Sequence, residues 1–93
     1  MGLLVNLDEL TLLTDAAHER GETIVLANGA FDLLHVGHVR YLQGAAEHGE
    51  RVVVAVNSDS SVQLSKGPNR PMIPDAERAE IVAALAGIDW VVV

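Results

Sequence analysis

Two apolar runs, residues 23–27 and 51–57, flank a segment whose apolar residues recur at helical spacing. Both runs are rich in β-branched residues and neither alternates with polar ones, which is typical of strands buried on both faces. The segment between them predicts a helix over about residues 39–47 that closes at Gly49. Strand, helix and strand in this order form a βαβ unit, so we predict parallel strands joined by a right-handed crossover.

Further elements are predicted on both sides of this unit. A helix begins near residue 7, where Asn6 can cap the first turn and Glu9 stands three positions later as its capping-box partner. Downstream we predict a long polar connection over residues 58–73 with a short helical turn near its start, a helix from Pro74, and a strand over residues 89–93. The order is α, then β-α-β-α-β.

This order predicts an α/β fold with a Rossmann-like parallel sheet, in one domain over residues 1–93. A doubly wound sheet normally extends on both sides of its first strand, and these three strands fill only one side. We therefore expect the strand over residues 23–27 to lie at an exposed edge. An exposed apolar edge invites pairing with another chain, so we expect either a domain truncated on its C-terminal side or a homo-oligomer joined through that edge.

The composition excludes several classes of function. The chain has 13 acidic and 6 basic residues and a formal charge of −7, which argues against binding a nucleic-acid backbone. It has no cysteine, so disulfides, thiolate metal sites and cysteine nucleophiles are excluded. The first residues lack a basic segment followed by a long apolar one, and no apolar run approaches the roughly 18 residues of a membrane span. We expect a cytoplasmic protein that does not contact membranes.

A glycine-bearing turn joins the first apolar run to the following helix and contains the pattern His35-Val36-Gly37-His38. Unpaired N–H groups and the macrodipole at a helix N-terminus favour an anion. The two imidazoles, three residues apart, add donors on the same side, and Gly37 has no Cβ to hinder a ligand. We predict a site for nucleotide phosphates. The alternative is a pair of incidental histidines at a helix start.

The same turn also allows a metal site. Asp32, His35 and His38 form a possible ligand set, although no fourth ligand is evident and Gly37 loosens the backbone. A Mg²⁺ ion that bridges nucleotide phosphates is favoured over a protein-ligated metal, because Mg²⁺ keeps its waters and needs few protein ligands.

Three of the six basic residues, Lys66, Arg70 and Arg78, lie within thirteen positions near the predicted strand ends. This clustering in an acidic chain favours anion recognition, while an ordinary solvated loop is the alternative. Arg78 fits equally well as a surface helix residue paired with a nearby carboxylate. Asn57 and Asp59 follow the second strand and can reach a sugar hydroxyl or a phosphate, although a helix-capping role competes at Asp59.

Residues 28–38, Asn-Gly-Ala-Phe-Asp-Leu-Leu-His-Val-Gly-His, resemble the signature of the cytidylyltransferase-like nucleotidyltransferases, which carry a His-x-Gly-His turn. Later matches make the chain similar to the branch that acts on D-glycero-β-D-manno-heptose 1-phosphate, often as one half of a bifunctional kinase/adenylyltransferase. They are Val56-Asn57-Ser58-Asp59, Lys66-Gly67, Arg70-Pro71, Glu77-Arg78 and Asp89-Trp90-Val91-Val92. In that family a later segment supplies the remaining strands and much of the base pocket, so the resemblance implies part of a working site.

The resemblance implies transfer of a nucleotidyl group from ATP or CTP to a sugar phosphate, with release of pyrophosphate and with Mg²⁺ bound through the nucleotide phosphates. The implied catalytic residues are His35, His38 and Lys66. The implied phosphate-binding residues are Asn28, Gly29, Ala30, Phe31, Asp32 and Gly37, and the implied substrate-binding residues are Asn57, Asp59 and Arg70. Two alternatives stay open: an enzyme like the glycerol-3-phosphate cytidylyltransferases, and a nucleotide-binding module without turnover.

Overall fold

The computed structural model describes residues 2–93, which form one four-stranded sheet and four helices. The strands are β1 (Leu3–Leu4), β2 (Ile24–Gly29), β3 (Arg51–Val56) and β4 (Trp90–Val92), and the helices are α1 (Leu7–Glu19), α2 (Val36–Ala46), α3 (Asp59–Lys66) and α4 (Asp75–Ala83). All strands are parallel and lie in the order β1-β4-β3-β2. The predicted α/β class and Rossmann-like parallel sheet are confirmed.

Two elements differ from the prediction. The chain begins with β1, not with α1, because Leu3 and Leu4 pair with Trp90 and Val91 at the far edge of the sheet. A two-residue strand is too short to show a pattern in the sequence. The predicted short helical turn after β3 is the full helix α3, whose first turn is capped by the Ser58 hydroxyl.

Strand β2 is an edge strand, as predicted, but it is not buried on both faces. Its neighbour is β3 alone among the described residues 2–93. Ala27 packs into the core under α2 and α4, whereas Leu26 on the opposite face is 69% exposed. Helix α1 covers that second face over Ile24, Val53 and Trp90 and leaves Leu26 uncovered.

Local capping explains where α1 begins and ends. The Asn6 side chain accepts a hydrogen bond from the Glu9 N–H at 2.8 Å, and the Glu9 carboxylate accepts one from the Asn6 N–H at 3.1 Å. This reciprocal box satisfies two N–H groups that a helix start otherwise leaves free. Gly21 follows the helix with a positive φ of 77°, which suits its end.

Within residues 2–93, no helix combines the length and the apolar character needed to cross a membrane.

Candidate functional site

The parallel register brings two polar segments to one edge of the sheet. Gly29 at the end of β2 is opposite Val56 at the end of β3, and the Asn57 N–H donates to the Gly29 carbonyl at 2.9 Å. Residues 28–32 and 57–59 therefore lie side by side at the carboxyl ends of the strands. This is the edge at which open α/β sheets bind ligands.

The turn after β2 has an unusual backbone held by packing. Phe31 has a φ of 52° and Leu33 a φ of 51°, a region that side-chain-bearing residues rarely adopt. The Phe31 ring is buried in the core and its Cζ would lie 3.1 Å from a Cβ placed on Gly29. Gly29 therefore makes room for Phe31. Phe31 is a core side chain, and only its backbone is available to a ligand.

The two histidines cap helix α2 reciprocally. His35 Nδ1 accepts a hydrogen bond from the Gly37 N–H at 3.0 Å, and His38 Nδ1 accepts one from the His35 N–H at 3.1 Å. The ring centroids are 4.0 Å apart. The pair thus takes the place of the Ser/Thr and Glu of an ordinary capping box. The Gly37 N–H, expected to be free for phosphate, is instead bound by the His35 ring.

This capping defines the donors that the rings can offer. Because each Nδ1 accepts a hydrogen bond, the proton of the neutral ring is on Nε2. Burial lowers the pKa of His38, and the positive charges of His35 and Lys66 lower that pKa further. His38 therefore favours the neutral ring with its Nε2–H as a hydrogen-bond donor. His35 is exposed and His38 is half-buried, so both remain accessible from the strand-end edge.

Gly37 is required by His35. An ideal Cβ on Gly37 would lie 2.7 Å from His35 Cε1 and 2.9 Å from His35 Nδ1. Those distances are far below normal contact, so any side chain at this position displaces the ring from its cap. From the sequence, Gly37 is interpreted as a residue that lets a ligand approach the backbone. The structure adds a second reason for glycine, which is the space that the His35 ring occupies.

Asp32 orders the loop that follows α3 and does not face a ligand. Its side chain is 1% exposed, and its two oxygens accept hydrogen bonds from the Met72 and Ile73 N–H groups at 2.8 and 3.0 Å. Burial would raise the Asp32 pKa, but these donors and the charges of Arg70 and Arg78 lower it below its ordinary value. The phosphate-binding role that the resemblance implies for Asp32 does not agree with these contacts, because the side chain is buried and both of its oxygens are engaged.

The engagement of Asp32 argues against the metal alternative of the sequence analysis. A set of Asp32, His35 and His38 needs a free carboxylate, but both Asp32 oxygens already accept hydrogen bonds inside the protein. In the described part of the chain, residues 2–93, no three His, Cys, Asp or Glu side chains gather as a metal site.

The cations of the loop separate into different roles. Lys66 ends α3, is exposed, and lies close enough to His38 to lower its pKa. Arg70 Nε is 3.3 Å from an Asp32 oxygen, an ion pair without hydrogen-bond alignment, and the Arg70 side chain is 38% exposed. Arg70 and Asp59 also line an open cleft of about 340 Å³ between α3 and the loop.

Arg78 fits neither predicted role. It is completely buried, so it is neither a surface helix residue nor available to a ligand. Its guanidinium donates to three backbone carbonyls and to Asp59. Asp59 Oδ1 is committed to Arg78 and to the Asp75 N–H, whereas Oδ2 has no hydrogen bond within residues 2–93 and the side chain is 47% exposed. One feature of the sequence could have predicted that Arg78 is buried. Arg78 precedes the apolar Val82 by four residues and therefore lies on the same face of α4.

The predicted residues thus divide into three groups. The first group lies at the strand-end edge and is exposed or half-buried. Its members are Asn28, Gly29, Ala30, His35, Gly37, His38 and Asn57. Lys66 and Arg70 border them from α3 and the loop. Phe31 and Asp32 act through packing or hydrogen bonds inside the protein, and Asp59 does so through Oδ1 alone.

Comparison with known proteins identifies the family of this chain. The sequence model of the cytidylyltransferase-like family matches residues 26–93. Among solved structures, the lipopolysaccharide core biosynthesis protein from Thermoplasma volcanium is 28% identical with a TM-score of 0.72, over 78% of this chain and 59% of that one.

Curated relatives include proteins named bifunctional protein HldE from several bacteria. That of Photobacterium profundum is 55% identical over 84 residues, which is 90% of this chain and 18% of the relative. That of Geobacter metallireducens is 54% identical over 88 residues, which is 95% of this chain and 18% of the relative. The chain thus spans less than one fifth of the length of these relatives. Over residues 26–93, the chain belongs to the cytidylyltransferase-like family.

Proposed function

We propose that this chain carries a nucleotidyltransferase site that moves a nucleotidyl group from ATP or CTP to a sugar phosphate. The observation that supports this most directly is the reciprocal histidine cap. It holds two imidazoles 4.0 Å apart at the start of α2 with both Nδ1 atoms engaged, so that each neutral ring keeps an Nε2–H donor. Paired donors at a helix start suit the charge that develops on transferred phosphate.

The proposed reaction needs positioning more than covalent chemistry. An oxygen of the acceptor phosphate attacks the α-phosphorus in line, the bond from that phosphorus to the bridging oxygen breaks, and pyrophosphate leaves. His35 and His38 would stabilise the triphosphate and its transition state, and the backbone of residues 29–31 would bind phosphate. Lys66 would approach the α-phosphate or the acceptor phosphate.

Mg²⁺ fits this site only as an ion held by the nucleotide. Near the turn, both Asp32 oxygens are engaged by backbone N–H groups, and Asp59 Oδ1 is engaged by Arg78. The phosphates would therefore supply most of the ligands, and Mg²⁺ would neutralise the charge of the leaving pyrophosphate.

The acceptor is proposed to be a sugar 1-phosphate, with heptose 1-phosphate as the first candidate. This rests on the sequence resemblance and on relatives that are themselves much longer than this chain. Arg70, on the cleft beside α3, would contact the acceptor, and Asn57 would contact a sugar hydroxyl because its side chain has no hydrogen bond within residues 2–93. A nucleotide-binding module without turnover is the second candidate, favoured by the uncompleted edge of β2.

Pyrophosphate release tests the proposal. The protein is incubated with Mg²⁺, ATP or CTP, and either heptose 1-phosphate or glycerol 3-phosphate, and pyrophosphate is measured for each pair. His38→Ala should lower the rate by about 10²–10³ because one aligned donor is lost. His48→Ala, an exposed histidine just after α2, is the matched control and should leave the rate unchanged.

Two outcomes would count against this reading. An unchanged rate in His38→Ala would place the reacting centre elsewhere. Nucleotide binding without pyrophosphate from any pair would favour the binding module.

A further inference from the structure

Arg78 is a buried charge that the proposed reaction does not use. Its side chain is 0% exposed and lies in the first turns of α4. Nε donates to the Ile73 carbonyl at 2.8 Å, and one terminal nitrogen donates to the carbonyls of Ala30 and Asn57 at 2.6 and 2.8 Å. The other terminal nitrogen donates to Asp59 at 2.8 Å. Four of its five N–H groups are thus engaged inside the protein.

These acceptors belong to separate connections at the same edge of the sheet. Ala30 is in the turn after β2, Asn57 immediately follows β3, and Ile73 lies two residues before α4. A planar guanidinium has donors in a fixed fork and can bind the three carbonyls at once. The ammonium group of lysine is a compact point charge and lacks this spread of donors. Arg78 therefore ties the phosphate-binding turn to the two segments beside it.

The contact with Ala30 also orients the next N–H. The Ala30–Phe31 peptide is trans, so its carbonyl and its N–H point in opposite directions. Since the carbonyl points to Arg78, the Phe31 N–H points away from it, and that N–H has no protein acceptor within residues 2–93. The positive φ of Phe31 is unfavourable for such a residue, so the turn needs contacts of this kind to keep its shape.

Asp32 completes the arrangement from the other side. The Ile73 N–H donates to Asp32 while the Ile73 carbonyl accepts from Arg78, so one residue of the loop is held at both ends of its backbone. Arg78 also lowers the pKa of Asp32. The two side chains together fix the loop against the turn.

We propose that Arg78 is a positioning residue that sets the backbone of the turn at residues 29–31 for phosphate, without touching the ligand. The inference rests on the proposed function. It predicts that Arg78→Lys, which keeps the charge but not the fork, weakens binding of inorganic triphosphate by about tenfold or more. Arg40→Lys, an exposed arginine on α2, is the matched control and should bind like the unaltered protein.

The experiment is an NMR titration of the ¹⁵N-labelled chain with inorganic triphosphate and Mg²⁺, well below the melting midpoint of each variant. In Arg78→Lys the amide signals of Ala30 and Phe31 should already be displaced without ligand. A variant that melts at lower temperature but binds triphosphate as well as the unaltered protein would show a purely structural role and overturn the inference.

Two further measurements separate the possible failures. If the unaltered chain binds triphosphate through this turn but yields no pyrophosphate, the proposed reaction fails while the role of Arg78 stands. If the unaltered chain does not bind triphosphate, both fail. Should Arg78→Lys not fold, the Arg78 Nε–H signal of the unaltered protein is followed instead: it should shift on addition of triphosphate, and no shift would overturn the inference.

Discussion

Helix α2 contains two glycines, and we expect their replacement by alanine to change the stability of the protein in different ways. Gly37 lies under the His35 ring, where an added Cβ would meet Cε1 at 2.7 Å, whereas a Cβ on Gly44 would meet nothing within 4 Å. Neither glycine has a positive φ, so the helix backbone accepts alanine at both positions. The pair therefore separates helix propensity from the histidine cap within a single helix.

The magnitudes follow from these two effects. Replacing a glycine in a helix by alanine stabilises by roughly 0.5–1 kcal/mol. For Gly44→Ala we expect the full gain, which raises the melting temperature by about 2–8 °C in a domain of this size. At Gly37 the methyl displaces the His35 ring, and loss of an N-cap costs roughly 0.5–2 kcal/mol. Gly37→Ala should therefore leave the melting temperature unchanged or lower it.

The stability of both variants is measured by thermal and urea unfolding, followed by circular dichroism. A double-mutant cycle with His35→Ala shows whether the His35 ring causes the difference between the two glycines. Without the imidazole, Gly37→Ala should gain as much stability as Gly44→Ala does. Triphosphate binding should weaken in Gly37→Ala and stay unchanged in Gly44→Ala. Equal stabilisation by both alanines in the presence of His35 would refute the role assigned to the histidine cap.

Three further predictions concern charge and the sheet edge. His38 should titrate below the ordinary histidine pKa of about 6.5, because burial and the charges of His35 and Lys66 disfavour its protonated form. The free energy of unfolding should therefore fall as the pH drops through about 6.5, where the unfolded chain begins to bind the proton. A His38 pKa at or above about 6.5, measured by NMR, would contradict this. Asp32→Asn should cost about 1–3 kcal/mol at pH 7. That cost should shrink near pH 3, because the folded-state pKa of Asp32 is lowered and its contribution is lost on protonation; an equal cost at both pH values in urea unfolding would contradict it. We also expect self-association through the β2 edge, which Leu26→Lys should disrupt, and a monomeric unaltered protein in light scattering would count against it.

Much of the fold and the place of the candidate site follow from local patterns. The βαβ unit is evident from two unbroken apolar runs around a helical repeat, and Asn6 with Glu9 forms the predicted capping box. The register of parallel strands then brings residues 28–32 and 57–59 to one edge without further information. Patterns of this kind are readable because neighbours along the chain produce them.

The direction of individual side chains depends on distant segments. Arg78 and Asp32 looked like ligand-facing charges, yet both are buried, because carbonyl and N–H groups from other connections lie within their reach. Strand β1 forms only because β4 offers it an edge, and Leu26 is exposed only because α1 covers the sheet elsewhere.

The sequence by itself therefore determined strands β2, β3 and β4, helices α1, α2 and α4, and the edge where the glycine turn lies, since apolar spacing and capping act over a few residues. Only the tertiary structure decided that a buried guanidinium, that of Arg78, holds the turn and that the buried Asp32 carboxylate holds the loop before α4. The reason is physical: a buried polar group must find a partner, and the identity of that partner is known only when the chain has closed around it.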